Sequence, residues 1–255
     1  MRVVLFCNDR SGLEIATWLR GRPDADIAAV VLNAPDRRPR RADEIRSLFP
    51  DLDRLGLVLT GDTLRSEETV RRIEGLGAEL GISLFFAHIF TPALMKAFPR
   101  GIVNLHPSLL PYNRGRQPAV WSIIDGTPAG VTLHLIDEGI DTGPLLAQQE
   151  VAVRPHDTGS SLYRRLEEAA VELFLRSWPA LCENALAPVE QDHDRATGHP
   201  ITEFQELAHL DPDRSMPVGR LIDILRARCF NRDDCVRLRT PDGGTVRLFL
   251  ELIPD

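Results

Sequence analysis

The chain has 255 residues, 43% hydrophobic and 26% charged, with a formal net charge of -7. That length can bury a full core and leave a small appendage, and the acidic balance argues against an electrostatic nucleic-acid footprint. No apolar run approaches the roughly 20 residues a membrane span needs, and four scattered cysteines without a CxxC pair read as reduced thiols of a cytoplasmic protein.

Val3 to Asn8 is an apolar run without a signal-peptide layout and reads as a strand entering a core. Ser11, with Glu14 three places on, predicts a capping box that opens a helix through about Arg20. The runs Ile27 to Asn33, Gly56 to Thr60, Ile82 to Phe90 and Gly101 to Leu105 follow, separated by helical stretches such as Glu67 to Leu80 and Thr91 to Phe98. This alternation predicts an α/β class, with a Rossmann-like, mostly parallel sheet flanked by helices. The first loop, Asn8-Asp9-Arg10-Ser11-Gly12, has no GxGxxG, which argues against a dinucleotide cofactor. The basic stretch 36–41 reads as a solvated turn or as a phosphate contact.

Further on, Pro118 to Asp125 is expected to be helical, and Val131 to Ile136 and Leu145 to Val153 to be strands around a tight loop, Asp137 to Pro144. A long amphipathic helix is expected from Ser160 to Trp178, and the polar stretch Ala187 to Pro200 marks a boundary. Beyond it come a helix, Val218 to Cys229, and a hairpin, Val236 to Arg239 with Thr245 to Leu252, turned at Asp242-Gly243-Gly244. The segment after Glu190 carries nine arginines, no lysine and twelve acidic residues, so it too is acidic.

The chemistry concentrates in Asn104-Leu105-His106-Pro107-Ser108-Leu109-Leu110-Pro111, then Gly130-Val131-Thr132 and Asp141-Thr142-Gly143. Asn104 and His106 lie two apart, so on a strand both leave one face, and Pro107 would end that strand. Alone, such a pair reads as a satisfied polar pair at a strand end. An Arg-Gly-Arg loop at 114–116 and a glycine-framed Asp141 in the same chain favour a site instead. His134 reads either as a strand residue or as one that orients the site. Cys7 reads as a buried, inert thiol, and the spacing of His106, His134, Asp137 and Asp141 supports no metal site.

Together these residues resemble the 10-formyltetrahydrofolate-dependent formyltransferase family. The segments Pro111 to Arg116, Trp121 to Ile124, Gly130 to Asp137 and Leu221 to Arg228 are most similar to its nucleotide-sugar N-formyltransferases. Two departures stand out: Cys229-Phe230-Asn231-Arg232 replaces a threonine, a phenylalanine and a proline pair, and Pro144 stands where an acidic residue is common. The resemblance implies the formyltransferase fold, with a catalytic domain over 1–190 and a small helix and β-hairpin domain over 191–255. It implies an enzyme that moves the formyl group of 10-formyltetrahydrofolate, without a metal, to a dTDP-linked amino-deoxysugar of lipopolysaccharide or glycan biosynthesis. Asn104, His106 and Asp141 would be catalytic. Phe86, Ile89, Phe90, Leu110, Asp137 and Ile140 would meet the folate, and Asn8, Arg10, Tyr112, Asn113, Arg114 and Arg116 the nucleotide sugar. A homodimer through the tail hairpin is expected, with neither nucleic acid nor membrane as a partner. The alternatives are a methionyl-tRNA formyltransferase, which usually carries a larger basic C-terminal domain, another small-amine formyltransferase, and a silent folate-binding module.

Overall fold

Hydrophobic strands separated by amphipathic helices form a seven-stranded sheet in the computed structural model, which describes residues 1–37 and 39–253. Arg38, inside the basic stretch 36–41, lies outside the described residues, as do Pro254 and Asp255. The first eight strands are β1 (Arg2–Cys7), β2 (Asp26–Leu32), β3 (Val58–Thr60), β4 (Leu80–Leu84), β5 (Ile102–His106), β6 (Arg114–Gly115), β7 (Gly130–Leu135) and β8 (Leu145–Glu150). The sheet order is β3-β2-β1-β4-β5-β7-β8, with β3 through β5 parallel and β7 antiparallel to β5. The helices are α1 (Asp9–Arg20), α2 (Ala42–Leu48), α3 (Pro50–Arg54), α4 (Glu67–Glu74), α5 (Pro92–Lys96), α6 (Pro118–Asp125), α7 (Gly159–Cys182), α8 (Ile201–Glu206) and α9 (Val218–Ala227). This is the α/β architecture expected from the alternating runs.

The chain divides into two compact units. The first comprises Met1–His106, Thr132–Gln148 and Ala170–Gln191, and the second Pro107–Val131, Gln149–Ala169 and Asp192–Asp255. In the first unit, β1 is buried from Val3 to Cys7, because it lies between two other strands and both its faces are covered. Phe6 is fully buried and meets Phe86, Phe90 and Phe98 at ring-centroid distances of 5.6, 4.8 and 6.1 Å. The second unit packs α6, apolar and buried from Pro118 to Ile124, with α9, and adds strands β9 (Gly198–His199), β10 (His209–Leu210), β11 (Val236–Arg239) and β12 (Thr245–Leu248). The β11–β12 hairpin is antiparallel, and Gly243 in its turn has φ of 84°. No helix among the described residues is long and apolar enough to cross a membrane.

Two local expectations fail for identifiable reasons. The capping box at Ser11 does not form, because α1 already starts at Asp9 and Ser11 is buried within it. Asn8 takes the N-cap position, yet its Oδ1 accepts the Arg40 backbone N–H at 2.9 Å and so caps a distant loop instead of its own helix. The apolar run Ile82 to Phe90 is a strand only to Leu84, since Phe85 at φ of 55° turns the chain out of the sheet. Cys7, Cys182, Cys229 and Cys235 are all free, and burial pushes the Cys7 thiol far above its usual range, which fits an inert core residue.

Phe6→Ala should cost about 3–5 kcal/mol of unfolding free energy in urea, because the ring is fully enclosed and its neighbours cannot all collapse inward.

Candidate active site

Strand β5 carries Asn104 and His106 to its C-terminal end, where the absent N–H of Pro107 stops the ladder. The register with β7 sets Asn104 opposite His134 and His106 opposite Thr132. Directly opposed residues project from the same face, so the pairing gathers an amide and two imidazoles. Asn104 Nδ2 lies 3.1 Å from His134 Nε2, and His134 Nδ1 lies 2.8 Å from the Leu135 carbonyl. A carbonyl only accepts, so Nδ1 holds the proton and Nε2 receives the Asn104 N–H. Burial of His134 at 1% exposure makes this arrangement rigid.

Asp141 completes the cluster. Its Oδ1 lies 3.5 Å from Asn104 Nδ2 and 3.6 Å from His134 Nε2, and its Oδ2 lies 3.7 Å from His106 Nδ1. These separations exceed a tight hydrogen bond. The loop that carries Asp141 is held from within: Asp137 Oδ1 accepts from the Gly139 N–H at 3.0 Å and from Thr142 Oγ1 at 2.6 Å. It is also held from outside, because Gln191 Nε2 donates to the carbonyls of Asp141 at 2.9 Å and Gly143 at 2.7 Å. Asp141 itself has φ of 52°, the left-handed region that disfavours a side chain.

Asn104, His106 and Asp141, singled out from the sequence, thus stand together with His134. The other expected contacts scatter. In the first unit, Phe86 is partly buried, Ile89 and Ile140 are exposed at 72% and 66%, and Phe90 is a core residue. Asp137 spends its carboxylate inside its loop, Asn8 on Arg40, and Arg10 is exposed. In the second unit Leu110 is buried, and Asn113 uses its amide on Ser122 and Thr127 at 2.9 and 2.8 Å. Arg114 Nη2 reaches His193 Nδ1 at 3.1 Å, Arg116 is exposed, and the Tyr112 hydroxyl meets Arg195. Among the described residues no group of three His, Cys, Asp or Glu side chains is placed to hold a metal ion.

Three polar residues went unremarked in the sequence. Gln191 lies in a stretch that reads as a polar boundary. Asn33 Oδ1 accepts the Ala87 N–H at 3.0 Å, and His88 Nε2 accepts the Ala34 N–H at 3.2 Å, so together they pin the loop after β4 to the loop after β2. Burial, reinforced by Arg37, holds the His88 imidazole below its usual range and favours the neutral acceptor.

Residues 2–177 match the model of the formyl transferase family. The chain belongs to that family. Within it, the chain is 30% identical over 233 residues to a methionyl-tRNA formyltransferase of Synechococcus sp. (strain JA-3-3Ab), covering 89% of this chain and 71% of that protein. It spans less than two thirds of the next curated relatives. The solved sugar N-formyltransferase from Shewanella sp FDAARGOS_354 superposes with a TM-score of 0.83 at 26% identity, covering 100% of this chain and 99% of that one. The formyltransferase PseJ from Anoxybacillus kamchatkensis, solved with UDP-4,6-dideoxy-4-formamido-L-AltNAc and tetrahydrofolate, shares the fold at a TM-score of 0.58 and 21% identity, covering 81% and 89% of the two chains.

The loop geometry makes its own demand on Gly143, where an added Cβ would lie 2.0 Å from the Leu135 carbonyl oxygen. Gly143→Ala should destabilise the protein by about 1–3 kcal/mol in urea unfolding, since that oxygen is backbone and cannot swing aside.

Proposed function

We propose that the chain transfers the formyl group of 10-formyltetrahydrofolate to the amino group of a dTDP-linked amino-deoxysugar. The observation that carries the reaction is the convergence of Asn104, His106 and Asp141 around the buried His134. Formyl transfer needs a polarised carbonyl, an acceptor for the amine proton and a donor for the departing nitrogen. Asn104 is turned by His134, and its weaker N–H, 3.5 Å from Asp141, is the one able to swing onto a formyl oxygen as charge develops there. Asp141 takes the proton the amine loses, while His106 delivers one to the departing folate nitrogen. The 3.7 Å approach of His106 Nδ1 to Asp141 Oδ2 lets the proton return, so both groups end as they began.

The folate would supply the activated one-carbon unit. Partly buried Phe86 and exposed Ile89 and Ile140 suit a flat heterocycle, because covering apolar loop side chains is favourable at about 25 cal/mol per Å². PseJ, solved with tetrahydrofolate and a UDP-sugar, supports both halves of the reading by analogy of fold. The sugar acceptor rests on the full-length likeness to the Shewanella sugar N-formyltransferase, which includes the segment after Glu190. On this reading residues 1–190 are the catalytic domain and 191–255 the appendage, and the hairpin, with Val246 44% exposed, offers a face for a homodimer. Arg114 and Arg116 would meet the pyrophosphate.

A second reading, methionyl-tRNA as acceptor, is favoured by the names of the curated sequence relatives. The acidic composition after Glu190 opposes it, since a polyanion is repelled by net negative charge.

His106→Asn and Asp141→Asn should each keep the fold and lower turnover by roughly 10² to 10⁴, read in a formyl-transfer assay. Normal rates in both would sink the mechanism. For the acceptor, dTDP should raise the melting temperature, and Arg114→Ala should raise the acceptor KM more than it lowers kcat, as loss of uniform binding does. Formylation of methionyl-tRNA with no response to any nucleotide would decide for the second reading.

A further inference from the structure

We propose that Gln191 is a positioning residue that sets the carboxylate of Asp141, a role that rests on the formyl-transfer reading of this site. Its side chain is buried at 4% exposure, and one nitrogen serves two backbone carbonyls, Asp141 at 2.9 Å and Gly143 at 2.7 Å. A primary amide has two N–H groups on one nitrogen, so a single Gln can tie together carbonyls two residues apart. A carboxylate in its place would donate nothing and would face both carbonyl oxygens.

The clamp falls where the loop most needs one. Asp141 occupies the left-handed region at φ of 52°, which is unfavourable for a residue with a side chain. Such a conformation persists only where its surroundings over-determine it. The internal ties from Asp137 reach Gly139 and Thr142 but not the Asp141 backbone. Gln191 supplies that hold, and it works from a fixed base. Two residues before it, Val189 exchanges both backbone hydrogen bonds with Leu145, at 2.8 and 2.9 Å, and Leu145 opens the strand that follows the loop. The Gln191 amide thus spans from an anchored strand end to the residue whose side chain lies near His106 and His134. It contacts backbone, so its effect on the reaction passes through the position of Asp141.

The test is a double-mutant cycle with Gln191→Met and Asp141→Asn. Methionine keeps the bulk and removes both donors. Gln191→Met alone should lower kcat roughly 10- to 100-fold, the loss expected from a small misplacement, with KM for donor and acceptor within about twofold. In the Asp141→Asn background the same substitution should change the residual rate by less than about twofold, because the group it positions is already disabled. Gln191→Asn, which keeps both N–H groups one methylene short, should fall between wild type and Met, and serves if the Met variant folds poorly. Unchanged kcat in Gln191→Met, or losses that multiply in the double variant, would overturn the proposal. If the wild type transfers formyl groups to no amine, the functional reading fails, and amide hydrogen exchange then decides on the clamp. Faster exchange in Gln191→Met confined to 137–143 supports it, and exchange equal to wild type overturns it.

Discussion

The antiparallel seating of β7 on β5 sets a geometric problem that the rest of the site answers. Running against β5, β7 passes His106 first and leaves the sheet near Ile102, whose carbonyl accepts the Ile136 N–H at 2.8 Å. Four residues of β5 separate Ile102 from His106, a rise of roughly 13 Å. Yet Asp141, five residues after Ile136, stands 3.7 Å from His106. The loop must therefore double back along the sheet instead of continuing away from it. That reversal explains the left-handed backbone at Asp141 and a Gly143 so close to Leu135 that no Cβ fits.

A reversed loop with a strained residue is stable only if its ties exceed its cost. The strain at Asp141 is of order 1–2 kcal/mol, and each net hydrogen bond returns about 0.5–1.5. Two bonds to Asp137 and two from Gln191 are enough to outweigh it. None of them uses the Asp141 carboxylate, which stays within reach of three other side chains. The loop is thus held through backbone and neighbouring polar groups and not through the Asp141 carboxylate, the division that a preorganised site would require under the proposed reaction.

What the sequence discloses follows from how far apart the interacting residues lie. The two-residue spacing of Asn104 and His106, with Pro107 behind, is a local signal, and β5 ends at His106. The helix from Pro118 to Asp125 was legible for the same reason, as an apolar stretch opened by proline and followed by glycine. Asp141 was legible through its glycine frame. Gln191 was not, because its partners lie 50 and 48 residues away and nothing in its own neighbourhood distinguishes it from a surface amide. Asn33 and His88 are hidden likewise, each reaching across 54 residues. Ser11 shows the converse, where the local capping pattern with Glu14 fails because α1 already starts at Asp9.

The same accounting bears on which residues remain for recognition under the proposed function. A side chain whose polar atoms are already satisfied inside the protein gains little by turning to a ligand, since it must first give up a bond of similar strength. Asn113, bonded to Ser122 and Thr127, and Asp137, bonded within its own loop, are of this kind, and so is Asn8. Phe90 belongs to the apolar core of the first unit, and Leu110 is buried in the second. Among the expected contact residues, Ile89, Ile140 and Arg10 in the first unit and Arg116 in the second are exposed. Under the proposed function the isoleucines would cover a ring system and the arginines would meet an anion. A folate and a nucleotide sugar would bring one of each, and burial of the isoleucines would add binding without drawing on the polar bonds that hold Asp141 in place.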